Sequence, residues 1–139
     1  MPIQQSDVLY TAVATAENGR DGRVATDDGR LDVVVNPPKE MGGSGAGTNP
    51  EQLFAAGYSA CFQGALAVVA RQAGADVSGS RVTAKVGLGK NEEGFGIIVE
   101  ISAEIPGVEE GVARELVERA HGVCPYSKAT RGNISVTLV

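Results

Sequence analysis

Tryptophan is absent from this chain, and its 139 residues include only three tyrosines and three phenylalanines. So few aromatics leave no evident platform on which bases could stack. Basic residues are also in deficit, twelve against seventeen acidic ones, for a net charge of −5. A nucleic acid or an anionic membrane surface would demand a basic face, so neither is an expected partner. One histidine and two cysteines fall short of the usual structural zinc set, and no metal is expected. The N-terminal MPIQQSDVLY lacks the basic-then-apolar pattern of a secretory signal, which places the chain in the cytoplasm. In a reducing compartment, two cysteines are more often free or redox-active than joined in a structural bridge. The length predicts a single domain, residues 1–139.

What the sequence does have is one long apolar helix. Residues 48–73, TNPEQLFAAGYSACFQGALAVVARQA, offer Thr48 or Asn49 as N-cap, Pro50 at the first helical position and Glu51 against the positive helix end. No charge falls between Leu53 and Ala70. That run reaches the minimum length of a membrane span, but its alanines and glycines, with Tyr58, Ser59 and Gln63, predict a buried core helix instead. Being apolar all round, it is expected to be covered on all sides by the remaining chain or by a second chain.

The elements around it read as α+β with antiparallel sheet. Strands are predicted over 8–16, 23–26 and 31–35, with Asn18-Gly19 as a hairpin turn at which both residues tolerate positive φ. Residues 36–47 form a proline- and glycine-rich loop. It lacks the Gly-Lys-Ser/Thr ending of a nucleotide P-loop, so a flexible lead-in to the helix is the better reading. A second hairpin is expected over 81–88 and 95–105. An amphipathic helix follows over 108–121, with apolar residues at 108, 112, 116, 117 and 120, and a closing strand over 134–139. The order is βββ-α-ββ-α-β.

Cys61 sits in the middle of the apolar helix, where a cysteine is usually a small core hydrophobe; reactivity needs a lowered thiol pKa and access. Cys124 comes 63 residues later. If Pro125 opens a short final turn, Cys124 would be its N-cap, where exposed N–H groups favour a thiolate. Sequence spacing does not say whether the two meet. Cys124-Pro125-Tyr126-Ser127 also looks like the redox motif of monothiol glutaredoxins, but that motif belongs after an early strand and opens a helix, a context missing here. His121 reads as a complement to a helix C-terminus. Arg20 reads as a solvated turn arginine. Glu51 lies about 15 Å along the helix axis from Cys61, on a different face, so the two do not adjoin within one straight helix.

The segments NPEQLFAAGYSACF (49–62) and VCPYSKATRGNI (123–134) resemble the two signature blocks of the organic hydroperoxide resistance (Ohr) proteins, a branch of the OsmC superfamily. LYTA near Leu9, the GRDG turn around Arg20 and the GGSGAGTNPEQ lead-in resemble it too, so the likeness runs through the whole chain. It implies an OsmC-like fold, with sheets wrapped around the long central helix in an intertwined homodimer. It implies a thiol peroxidase that reduces alkyl or lipid hydroperoxides with no bound cofactor and is itself reduced by dihydrolipoyl groups of a lipoylated protein. By position, Cys61 matches the peroxidatic cysteine and Cys124 the resolving one, while Arg20 and Glu51 match the pair that polarises the peroxide and holds the thiolate. Leu53, Phe54, Phe62 and Met41 are expected to line an apolar substrate pocket. A non-catalytic redox-responsive or apolar-ligand-binding module of the same fold is the alternative, since fold alone does not settle function.

Overall fold

A computed structural model describes residues 2–139, which fall into two compact units, Met1–Pro50 and Glu51–Val139. In the first, β1 (Ala14–Glu17), β2 (Gly22–Thr26) and β3 (Asp32–Val35) form an antiparallel meander. Asn18 and Gly19 both take the left-handed conformation predicted for the first turn, with φ of 60° and 57°. The first strand is much shorter than the alternation of residues 8–16 suggested. β2 turns back after Thr26, which pairs with Ala14, and beyond that pair the ladder continues only as one hydrogen bond from the Asp27 N–H to the Val13 carbonyl at 3.1 Å. Leu9 and Tyr10 are left exposed. After β3 the chain returns beside it, with Thr48 bridging to Val35 in parallel.

The second unit is built on α1 (Pro50–Ala73), which Pro50 opens as expected. The antiparallel hairpin β4 (Arg81–Asn91) and β5 (Gly94–Glu104) follows, then α2 (Glu110–Val123), α3 (Pro125–Thr130) and β6 (Val136–Leu138). The expected βββ-α-ββ-α-β order is observed, with α3 added as the short turn that Pro125 opens.

Two boundaries moved for identifiable reasons. α2 begins late because the Glu109 carboxylate caps it, accepting hydrogen bonds from the N–H groups of Gly111 and Val112 at 2.9 and 3.1 Å. It runs through Gly122 and stops only where Pro125 forces Cys124 into extended geometry, φ −62° and ψ 124°. β6 pairs with β5 in parallel, not antiparallel as predicted. The two intervening helices carry the chain back to the end at which β5 began, the geometry of a crossover connection.

The core is one face of α1. Tyr58, Phe62, Ala65, Leu66, Val69 and Ala70 recur at helical spacing and pack on Val99 and Ile101 of β5, Leu116 and Ala120 of α2, and Cys124. Each large apolar side chain so buried stabilises the fold by about 1.5–3 kcal/mol. Gln63, on the flank of this face, satisfies its amide by donating to the Ser80 carbonyl at 2.8 Å. α1 is long and apolar enough to span a membrane by composition, yet it serves as a core helix. Within one chain, however, it is not covered on all sides: Ala56, Ala60, Gly64 and Val68, four residues apart, form an exposed stripe of small side chains.

Candidate active site

Three helices converge on the two cysteines. α1 carries Cys61 on the turn after Tyr58, on the edge of its buried face. Cys124 is both the last cap of α2 and the N-cap of α3. The result is a Cys124 Sγ to Cys61 Sγ separation of 3.7 Å, with both thiols free. A disulfide needs about 2.05 Å, so the sulfurs are in contact but unbonded. Spacing alone offered no means of judging whether the two meet; the fold brings together residues 63 positions apart.

The two thiols differ in access. Cys124 has no solvent exposure, whereas Cys61 is partly exposed. Burial pushes the Cys61 thiol pKa up, and the neighbouring Cys124 adds to that shift, while the Tyr126 backbone N–H on α3 pulls the other way by stabilising the thiolate. The net direction is upward. A thiolate at neutral pH therefore needs favourable charge in addition to this amide.

Tyr126 does more than supply its amide. Its ring stacks in a triangle with Phe54 and Tyr58, with centroids 6.1 Å from Phe54 and 5.6 Å from Tyr58. It lies so close over α1 that a Cβ on Gly57 would sit 2.8 Å from the phenol oxygen. A side chain at that position would require the ring to shift. Beside the triangle is a cavity of about 370 Å³ whose walls include Phe54, Ile97, Tyr126, Ala129 and Ile134. Of the four residues expected to line an apolar pocket, Phe54 does line this cavity. Phe62 does not, because it is fully buried in the core and faces His121 at 6.5 Å between ring centroids. Met41 belongs to the other unit, at the end of a short helical turn.

Below the cysteines runs a buried polar chain that the sequence reading missed. Ser127 Oγ lies 2.8 Å from both His121 Nδ1 and Tyr58 OH, and Tyr58 OH lies 3.3 Å from Thr130 Oγ1. Thr130 Oγ1 donates to the Tyr126 carbonyl at 2.9 Å. The available signal was a cluster of hydroxyl residues in the PYSKAT segment, but its partner Tyr58 lies 69 residues away from Ser127.

His121 accordingly differs from the charged helix-end complement expected of it. Burial, and secondarily the charge of Arg131, push its pKa below the ordinary 6.5, so its ring is neutral at neutral pH. The unfolded chain takes up a proton that the folded ring resists, and stability is lost as pH falls through and below that ordinary value. Thermal melts between about pH 7.5 and 5.5 should show the wild type losing more stability than His121→Gln; identical slopes would remove His121 as the cause.

Arg20 occupies the loop between β1 and β2 in the first unit. That loop is fixed by Asn36, whose side-chain amide donates to the Asp21 carboxylate at 2.7 Å. Glu51 stands in the first turn of α1, ten residues before Cys61. Among the described residues, no group of three or more His, Cys, Asp or Glu side chains is gathered as a metal would require.

The sequence model of OsmC-like proteins matches residues 42–139. The chain is 53% identical over 133 residues to the organic hydroperoxide resistance protein of Xanthomonas axonopodis pv. citri, covering 94% of each. Among solved structures, it resembles an organic hydroperoxide resistance protein from Elizabethkingia anophelis with a TM-score of 0.89 at 53% identity, covering 94% of this chain and 95% of that one. It also resembles OhrB of Bacillus subtilis with a TM-score of 0.87 at 46% identity, covering 94% and 98%.

Proposed function

We propose that this chain, which belongs to the OsmC-like family in its organic hydroperoxide resistance branch, is a cytoplasmic thiol peroxidase that reduces organic hydroperoxides to alcohols through Cys61 and Cys124. The observation that carries the reading is the 3.7 Å contact between one partly exposed and one fully buried thiol. Access assigns the roles: a peroxide reaches Cys61, and Cys124 waits behind it.

The steps balance as follows. The Cys61 thiolate attacks the terminal oxygen of the hydroperoxide; the O–O bond breaks, the alcohol leaves with a proton, and Cys61 becomes a sulfenic acid. The Cys124 thiol displaces water from that sulfur to form the Cys61–Cys124 disulfide. An external dithiol, in our reading a dihydrolipoyl group of a lipoylated protein, reopens the disulfide by two exchanges and is itself oxidised to its cyclic disulfide.

Because burial pushes the Cys61 pKa up, a neighbouring positive charge would favour the thiolate. We assign that task to Arg20, whose guanidinium stays charged at any working pH and can fork toward a carboxylate and the reacting oxygen together. Glu51 is assigned to orient Arg20. The apolar walls around Phe54, Ile97 and Ile134 favour alkyl or lipid hydroperoxides over hydrogen peroxide, because a chain placed there leaves water.

A homodimer completes the reading. The exposed small-residue stripe of α1 and the exposed Leu9 and Tyr10 are apolar surface that a second copy would cover. Small side chains at four-residue spacing also allow two helices to approach closely.

The test is stoichiometric. Reduced protein treated with one equivalent of cumene hydroperoxide should lose the mass of two hydrogens and yield a Cys61–Cys124 linked peptide. An unchanged mass would overturn the peroxidase reading in favour of a non-catalytic module.

A further inference from the structure

Cys124 is packed in the core at the junction of α2 and α3. Its side chain makes no cap bond to α3, so where its sulfur sits depends on how the two helices it joins are held. α3 has six residues, too few to persist as an isolated helix in water. Its place must come from what it is tied to.

Beside the Tyr126 ring packing on Phe54 and Tyr58, two polar ties of α3 meet at one oxygen. Ser127 Oγ on α3 reaches His121 at the end of α2 and Tyr58 on α1, each at 2.8 Å, and Thr130, one turn on, reaches the same phenol. Tyr58 lies one turn before Cys61, and Ser127 lies one turn after Cys124. The polar chain thus fixes α3 against the same stretch of α1 that carries the attacking sulfur. Tyr58 and Ser127 have no solvent exposure. Phenylalanine and alanine would fill these places without burying two hydroxyls, which cost free energy wherever they are not fully paired.

The hydrogens close in either histidine tautomer. With Nδ1 bare, Tyr58 donates to Ser127 and Ser127 to His121. With Nδ1 protonated, the direction reverses: His121 donates to Ser127, Ser127 to Tyr58 and Tyr58 to Thr130. The chain is satisfied both ways and constrains geometry throughout.

We propose that this hydroxyl chain sets the Cys61–Cys124 separation, making Tyr58 and Ser127 positioning residues that decide the fate of oxidised Cys61. The inference rests on the peroxidase reading above. The sulfenic acid on Cys61 has two exits. Cys124 can displace its hydroxyl as water and close the disulfide, which requires the sulfurs to approach by about 1.6 Å. Alternatively, a second hydroperoxide transfers its terminal oxygen, giving a sulfinic acid and another alcohol. The first exit is intramolecular, and its rate depends on how well the two sulfurs are held in reach. Loosening α3 slows that exit and leaves the second untouched.

The experiment measures this partition. Reduced wild type, Ser127→Ala, Tyr58→Phe and Cys124→Ser are exposed to excess cumene hydroperoxide without reductant, and the sulfinic fraction at Cys61 is read by peptide mass. Each single hydroxyl deletion leaves the buried hydroxyls a remaining partner: Tyr58 keeps Thr130, and Ser127 keeps His121; in Ser127→Ala the His121 Nδ1 loses its partner, but that residue is only partly buried. Both variants therefore retain the means to fold. Val69→Ala, cut from the core face of the same helix away from the polar chain, serves as the control for lost stability.

The expected result is a several-fold rise in sulfinic Cys61 for Ser127→Ala and Tyr58→Phe, below the limit given by Cys124→Ser, with Val69→Ala partitioning as wild type. Wild-type partition in both hydroxyl variants overturns the inference, as does an equal rise in Val69→Ala. If wild type forms no Cys61–Cys124 disulfide, the peroxidase reading itself falls and takes this inference with it.

Discussion

Cys61→Ser should lower hydroperoxide turnover by at least about 10³-fold, to the background of the dithiol alone. A serine hydroxyl remains protonated where a cysteine thiol yields thiolate, and no histidine is positioned to serve it as a base. The single histidine of the chain is engaged through Nδ1 with Ser127 at 2.8 Å. The fold should be indifferent to the change, since Cys61 lies at the edge of the core and not within it. The measurement is consumption of cumene hydroperoxide with excess dithiol, alongside a thermal melt. Retention of more than about a tenth of wild-type turnover in a well-folded variant would show that another group attacks the peroxide. Cys124 would then be the first to examine, despite its burial.

The second large effect is Arg20→Ala, expected to slow the oxidation of Cys61 by about 10²-fold or more. Two contributions add. Removing an opposite charge near a thiolate raises its pKa by about 1–3 units, and the Cys61 environment already pushes upward through burial. The loss of thiolate is partly offset because a more basic thiolate is a better nucleophile, with a Brønsted slope of about 0.4–0.5. This part alone therefore comes to about 3–50-fold. On the proposed assignment, the rest comes from losing a donor to the negative charge on the departing alkoxide, a kind of contact worth about 10²–10³-fold elsewhere. Arg20→Lys separates the two, since it keeps the charge but not the fork. Ultraviolet titration of the thiolate and single-turnover oxidation by cumene hydroperoxide read the two contributions independently. An unshifted titration with an unchanged rate in Arg20→Ala would remove Arg20 from the site and leave its assignment to a turn as sufficient.

These experiments bear on a site that was only partly legible in the chain. The residue types and their blocks were readable: a cysteine in an uncharged helix, a second one before a proline, an arginine in a Gly-Arg-Asp-Gly turn, and a glutamate in a first helical turn. Each had an ordinary structural explanation. Resemblance to a family, not periodicity or spacing, raised them above it. The polar chain through Tyr58 and Ser127 was not legible at all, because hydroxyl residues in a short helical segment are common and nothing in the order of residues joins position 58 to position 127.

By itself the sequence determined the local structure wherever local forces decide it. Pro50 and Glu51 started α1, Asn18-Gly19 took the left-handed turn, and Pro125 ended one helix and began the next, each through backbone constraints confined to a few residues. Where partners decide, it was less informative. Residues 8–13 alternate like a strand, but β2 ends opposite Ala14 and only Val13 gains a further bond, from Asp27. β6 took the parallel direction because the crossover through α2 and α3 delivers it to the starting end of β5. Long-range contact was the decisive step for the chemistry. The 3.7 Å separation of Cys61 from Cys124 arises from packing a six-residue helix against α1, and the energy that favours it is distributed over side chains far apart in sequence.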